Sequence, residues 1–229
     1  MIGGNSGSDN MRILPIKMTA ISPIQYFYTA AAGGMRSSNF IGDIALKYGF
    51  LRQMGLFSLP DPGKSQPTYD EINDYPFWIT VGIPRSMAFG KGEESIYMKN
   101  MIRNTMQGAD YNGSNVHPLF KTGQLMYKNF FFVQPLKPGN IFYSYLVYDE
   151  EYFGTFKLPE MVRVGNNKTG IIKIDRTNDE FRSVINLYTF QNIMGKSLSI
   201  HKNEYSSHLV LQYFLMGYYS SKEVLEIYG

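Results

Sequence analysis

With 229 residues, 44% of them hydrophobic, the chain has enough apolar material for one large domain and is short for two equal independent ones. It contains no cysteine, which excludes disulfide frameworks, thiolate metal sites and cysteine nucleophiles and agrees with a cytoplasmic setting. The net charge is only +3, yet residues 157–202 hold eight Lys and Arg against four Asp and Glu. Charge segregated in this way fits a polyanion partner on one face, and by itself it fits a solvated face equally well.

Residues 1–10 are rich in Gly, Ser and Asn, lack the apolar core of a signal peptide, and predict a disordered leader. Residues 11–229 then read as a single domain. No apolar run approaches the about 20 residues needed to cross a bilayer, so no membrane partner is expected. Residues 11–21 predict a first strand, and Pro15 inside it predicts an edge position or a bulge. Residues 24–32 form a second apolar and aromatic run. Residues 33–39 predict a flexible loop into the clearest helix, where Phe40, Ile41, Ile44, Ala45, Tyr48, Leu51 and Met54 recur at three- and four-residue spacing. Ser38 or Asn39 is the expected N-cap, Asp43 lies in the first turn, and Gly55 is the stop. Such a helix start, beside Arg36, Ser37 and Ser38, could offer amides and hydroxyls to a phosphate.

Residues 59–74, rich in proline, glycine and acids, predict a loop, and residues 76–84 a short strand. Residues 85–125 predict a variable insertion that orders with a partner, with residues 93–107 as its helical stretch. From residue 125 the pattern turns to strands. Aromatic runs at 127–133 and 140–148 are joined through Pro135-Leu-Lys-Pro-Gly139, a turn signal. In residues 159–174, Val162, Val164, Ile172 and Ile174 alternate with polar or basic positions, while Asn166, Asn167 and Gly170 suit a turn. A hairpin results, with one packing face and one face bearing cations. Strands at 182–190, 197–201 and 207–216 and an amphipathic stretch at 220–227 complete an α+β chain with a largely antiparallel sheet. The 18 Tyr and 16 Phe suit both β cores and interfaces, and composition alone does not separate a base-stacking platform from a core.

Catalytic and metal patterns are sparse. His117, His201 and His208 show no metal-ligand spacing. His201 and His208 are the one pair that could serve as acid and base in RNA cleavage. No Gly-x-Ser-x-Gly elbow occurs, and Asp61-Pro-Gly-Lys64-Ser65 matches only the end of a phosphate loop. No cofactor and no catalytic residue are expected.

Three segments in order resemble the Csc-one family of type I-D CRISPR systems, within the broader Cas-five family. They are the aromatic run, loop and helix of residues 27–55, with Phe40-Ile-Gly-Asp-Ile-Ala-Leu-Lys-Tyr48; the strand Ile79-Thr-Val-Gly-Ile-Pro84 before a variable insert; and Pro159-Glu-Met-Val-Arg163-Val-Gly165 followed by Lys168. Where the family continues from its glycine with Lys-Trp-Met-Ser-Lys, this chain has Asn166-Asn-Lys-Thr-Gly. The resemblance carries over Arg163, Gly165 and Lys168. It implies a ferredoxin-like domain of the RNA-recognition-motif type with long insertions and a β-hairpin. The implied role is a noncatalytic subunit of a Cascade-like surveillance complex that binds the 5-prime handle of the guide RNA (crRNA) in antiviral defence. Implied partners are the guide, the large subunit, the backbone subunits and, through the complex, target DNA. The expected RNA-binding residues are Arg36, Ser37, Ser38, Arg163, Gly165, Asn166, Asn167, Lys168 and Lys173. A guide-processing endoribonuclease of the same fold and a purely protein-binding subunit are the alternatives.

Overall fold

The computed structural model describes residues 10–25, 28–31, 34–56, 69–90, 96–98, 101–104, 130–165, 169–202 and 214–229. The expected leader, apart from Asn10, lies outside them, as do most of the expected insertion and the Asn166–Lys168 turn. The main sheet is built around β1 (Met11–Ala20), which pairs antiparallel with β8 (Ile141–Asp149) on one side and β10 (Gly170–Arg176) on the other. β4 (Phe77–Ile79) and then β5 (Ile83–Pro84) line the far edge of β8, and β9 (Met161–Val164) lines the far edge of β10. The order is β4-β8-β1-β10-β9, all antiparallel.

Pro15 does not place β1 at an edge, and the register there is unbroken, with Pro15 opposite Tyr145. In an antiparallel strand the N–H and C=O of one residue point to the same side. Pro15 accepts from the Thr177 amide on the β10 side, where the β1–β10 pairing begins only at Ile16. The missing N–H therefore faces a position with no ladder bond to lose.

Two smaller sheets flank this one. β2 (Tyr28–Ala31), β3 (Gly34–Ser37), β7 (Phe130–Gln134) and β6 (Met101–Asn104) pair in that order, β3 with β7 in parallel. β11 (Ser183–Asn186) and β12 (Leu215–Tyr219) form a ribbon. The expected loop at 33–39 is thus largely a strand, because β2 and β7 supply ladder partners that override its Gly and Ser content. The helix expected at 93–107 is absent from its described parts. Residues 96–98 are extended because Met98 and Ile96 bond to Pro135 and Lys137, and 101–104 pair with β7. β7 and β8 are not partners, although they are joined by the expected turn with Gly139 at φ 83°. The strand expected at 182–190 is β11 followed by a π-type turn at Thr189–Ile193, residues 197–201 form no strand, and 203–213 lie outside the described residues.

α1 (Asp43–Gln53) starts later than its periodicity predicts, with Gly42 and not Ser38 or Asn39 at its N-cap. Ile41 and Gly82 exchange two backbone hydrogen bonds of 2.8 Å, which holds that stretch extended. Gly55, at φ 70°, follows the end of the helix as expected. α2 (Arg85–Phe89) and α3 (Glu150–Phe153) are short, and α4 (Ser221–Tyr228) closes the chain behind a capping box of Ser220 and Glu223. The core lies between the main sheet, α1 and the β11–β12 ribbon. Ile16, Met18, Phe142, Leu146, Ile172, Phe50 and Leu51 are fully buried there. No helix among the described residues is long and apolar enough to cross a membrane.

Candidate nucleic-acid interface

The hairpin of β9 and β10 forms as its alternation predicts. Val162, Val164, Ile172 and Ile174 are buried and turn toward α1, which approaches so closely that a Cβ on Gly49 would lie 3.1 Å from the Arg163 carbonyl oxygen. Residues directly opposite in antiparallel strands share a face. Lys173 stands opposite both Met161 and Thr19, Ile171 stands opposite Arg163, and the Ile21 amide bonds to the Ile171 carbonyl. The outer face therefore gathers Lys17, Thr19 and Ile21 from β1 and its exit, Ile171, Lys173 and Asp175 from β10, and Met161 and Arg163 from β9. Arg163 and Lys173 are exposed, and Lys173 pairs with Asp175 at 2.9 Å. Met161 and Ile21 are 48% and 49% exposed.

Residues 22–25 form a seat beneath the hairpin. The Ser22 hydroxyl donates to the Thr169 carbonyl and accepts from the Ile171 amide, each at 2.8 Å, where the main-chain ladder of β1 ends. Gly165, at φ 83°, lies against Gln25, and a Cβ there would stand 2.6 Å from the Gln25 carbonyl oxygen. A Cβ on Gly170 would meet Ile24 at 3.2 Å. Ile24 is itself pinned by paired hydrogen bonds with Leu136. Both glycines bounding the turn are thus required by close approach, and at Gly165 also by its left-handed conformation.

The expected site residues divide. Arg163, Gly165 and Lys173 fall together on the hairpin, while Asn166, Asn167 and Lys168 lie outside the described residues. Ser37 and Ser38 are 1% and 5% exposed, and the Ser37 hydroxyl bonds back to the Ile24 carbonyl, so these side chains sit behind the seat and offer nothing to solvent. Arg36 belongs to β3, in another sheet, opposite Thr29 and Gln134. The start of α1 is also closed to phosphate. Asp43 is buried there, accepting from Asn186 and Thr189, and burial pushes its carboxyl up to about 6 against those hydrogen bonds.

The aromatic side chains of the sheet centre are not a stacking platform. Tyr145 stacks on Phe181 at 4.2 Å and 10° and donates to its carbonyl, and Phe89 meets Tyr143 edge-on at 4.9 Å. These rings fill the place a base would need. Tyr152, 57% exposed, stands beside Asp149, Glu150 and Glu151, at the end of β1 opposite the hairpin. His201 is exposed, and His117 and His208 lie outside the described residues. Among the described residues no cluster of His, Asp and Glu could hold a metal ion.

Sequence reasoning missed Lys17, Ile21, Ser22 and Met161. Ile16, Met18 and Ala20 alternate with Lys17, Thr19 and Ile21, so the outward set was readable as a set, but nothing local tells which strand lies beside it.

A family model for "Type I-D CRISPR-associated protein Cas5/Csc1" matches residues 11–217. No curated protein matches the chain. Among solved structures it resembles a chain of "Cryo-EM structure of the Type III-B Cmr-beta bound to cognate target RNA and AMPPnP, state 1". That likeness has a TM-score of 0.39 and 9% identity over 90% of this chain and 83% of the other, too distant for any residue to be carried across.

Proposed function

The chain belongs to the type I-D CRISPR-associated Cas5/Csc1 family, and from that premise we propose that it is the noncatalytic subunit that binds the 5-prime handle of the guide RNA and caps the backbone of the effector complex beside the large subunit. The observation that carries this reading is the outer hairpin face, where Arg163 and Lys173 are exposed on rigid, core-anchored strands. Cations held in this way can grip phosphates without first being ordered, which lowers the entropic cost of binding. A ferredoxin-like, RNA-recognition-motif-type core is supported by the order β4-β8-β1-β10, with α1 between β1 and β4 and the first strand between the third and fourth of the motif. The second crossover, from β8 to β10, departs from that motif by using the four-residue α3 and β9. In this reading the chain is one domain, works in the cytoplasm, and reaches target DNA through the complex.

The test is binding of repeat-handle RNA and of a scrambled RNA across a salt series, by the purified chain and by the assembled complex. Arg163→Glu should weaken handle binding roughly tenfold to a hundredfold, the range for a lost charged hydrogen bond. It should flatten the salt slope by about 0.7 for each phosphate that is no longer neutralised. Lys168→Glu should act in the same direction. Binding that ignores both the handle sequence and Arg163→Glu would leave a protein-interaction subunit. Repeat RNA incubated with the wild type should stay intact, and cleavage that disappears in His201→Ala would overturn the noncatalytic assignment.

A further inference from the structure

Residues 177–182 form a strap that leaves β10 beside Pro15 and crosses over β8 to reach β11. It is fastened at both ends. The Thr177 amide donates to the Pro15 carbonyl at 3.2 Å, and the Arg182 amide donates to the Ala88 carbonyl at 3.1 Å. Within the strap the Thr177 hydroxyl donates to the Asp179 carboxylate at 2.8 Å and accepts from the Asp179 amide at 3.1 Å. Just beyond it the Ser183 hydroxyl meets that of Thr80 at 2.6 Å. Phe181 is the strap's buried side chain, 5% exposed, whereas Asn178, Asp179, Glu180 and Arg182 face solvent. Its ring lies parallel to that of Tyr145, with the ring centres of Tyr143 and Phe89 at 5.3 Å and 6.4 Å.

We propose that Phe181 is a specificity-determining residue: its ring occupies the stacking place on Tyr145 from within the chain and so confines RNA to the hairpin end of the sheet. The inference rests on the RNA-binding reading and adds a path to it, because it gives the sheet centre to the protein's own side chain. A parallel ring 4.2 Å from a tyrosine is the arrangement a base takes on an aromatic platform, and phenyl and pyrimidine are both six-membered rings. The Tyr145 hydroxyl, a group able to read a base edge, is engaged by the Phe181 carbonyl at 2.6 Å. Charge acts in the same direction. The strap sets Asp179 and Glu180 against Arg182 and has no surplus of positive charge for a phosphate. On the hairpin side Lys17, Arg163 and Lys173 face outward against Asp175 alone. A strand of RNA therefore meets a filled stacking place over β8 and free cations only across β1, β10 and β9.

Removing the ring uncovers the platform. The full chain and the assembled complex are titrated with handle RNA and with oligouridine across a salt series, and both RNAs carry 4-thiouridine so that crosslinks locate them. Wild-type crosslinks should fall on the β9–β10 hairpin and spare Tyr143 and Tyr145. Phe181→Ala should bind oligouridine about tenfold more tightly, as one added stacked base would, and should gain a crosslink at Tyr145. The salt slope should stay unchanged, because stacking releases no counterions. Adding Tyr145→Ala to this variant should abolish the gain, and Phe181→Leu, which keeps the place filled, should bind as the wild type does. A merely structural side chain would lower the melting temperature of Phe181→Ala and move neither affinity nor crosslink, and that result would overturn the inference. Wild-type crosslinks at Tyr143 or Tyr145 would overturn it as well, however the variants fold. Failure of the wild type to bind either RNA would remove the RNA-binding reading and this inference with it.

Discussion

Lys47 sits where water cannot hold its charge. It is 1% exposed, its ammonium lies 3.3 Å from the Trp78 ring centre, and it donates to the Tyr75 carbonyl at 3.0 Å. Burial draws its pKa from 10.5 down to about 6, although Asp43 and Asp74 pull the other way. The unfolded chain binds a proton up to about 10.5 that the folded chain releases above about 6, so stability rises with pH across that window. Asp43 acts in the opposite sense at lower pH. Its folded pKa of about 6 exceeds the ordinary 3.8, so stability falls as pH climbs between the two. The melting temperature should therefore pass through a minimum near pH 6 and recover toward pH 9, and Lys47→Met should remove the recovery. A variant that retains the full alkaline rise would assign it to another group. None of this is visible in the helical spacing of residues 40–54, which marks Lys47 as one more polar position. The neighbouring sheet covers it.

The hairpin is the element best specified by its own sequence, since four β-branched residues at a two-residue period cannot be buried in any other register without exposing them all. Its attitude is set from outside. Ser22 closes the ladder with a side chain where β1 turns away, and without that hydroxyl the Ile171 amide loses its partner. Ser22→Ala should cost about 1–2 kcal/mol in denaturant unfolding. It should also raise hydrogen exchange at Ile171, and Ser22→Thr should restore both. Unchanged protection at Ile171 in the alanine variant would mean that the hydroxyl is not the clasp. α4 shows the complementary case of a helix end written locally. Ser220 accepts from the Glu223 amide and the Glu223 carboxylate returns to the Ser220 amide, while Lys202 pairs with that carboxylate at 2.7 Å. The Lys202 ammonium and the Ser220 amide hold the Glu223 carboxyl down at about 2. The support this gives the helix is complete above the ordinary value of 4.5 and disappears only as pH falls through about 2.

At the scale of the molecule, the sheets are tied together at Thr80, where the edge of β8 passes from β4 to β5. Its hydroxyl meets those of Ser144 at 3.0 Å and Ser183 at 2.6 Å and accepts from the Tyr145 amide, while the Val81 amide donates to the Val184 carbonyl. All three hydroxyl residues are 1% exposed or less, so the group is buried and fully partnered. Thr80→Val keeps the shape and removes the shared hydroxyl, stranding the Tyr145 amide and the Ser183 hydroxyl, while the Ser144 hydroxyl keeps its bond to the Thr80 carbonyl. Unfolding free energy should drop by about 2–4 kcal/mol. Exchange at Val184 and Ile185 should rise more than at β1. A uniform rise would show that the ribbon and the main sheet open together and that the hydroxyls are not their particular link.

The features legible in the residues alone are local ones: the period-two hairpin at 159–174, the helix that ends before Gly55, the turn at Gly139, the segregation of cations into 157–202, and family membership through motifs kept in order. Each depends on neighbours within a few residues, where spacing and turn chemistry act directly. Tertiary packing set the rest. It put Pro15 in an interior strand by facing its missing donor past the end of β10, made a strand of Gly34–Ser37 through β7, and buried Ser37 and Ser38 behind Ile24. It also laid Phe181 over Tyr145 and set Ile21 beside Ile171, far along the chain. Pairings at that separation are chosen by the free energy of the whole packed core, which no short window of residues contains.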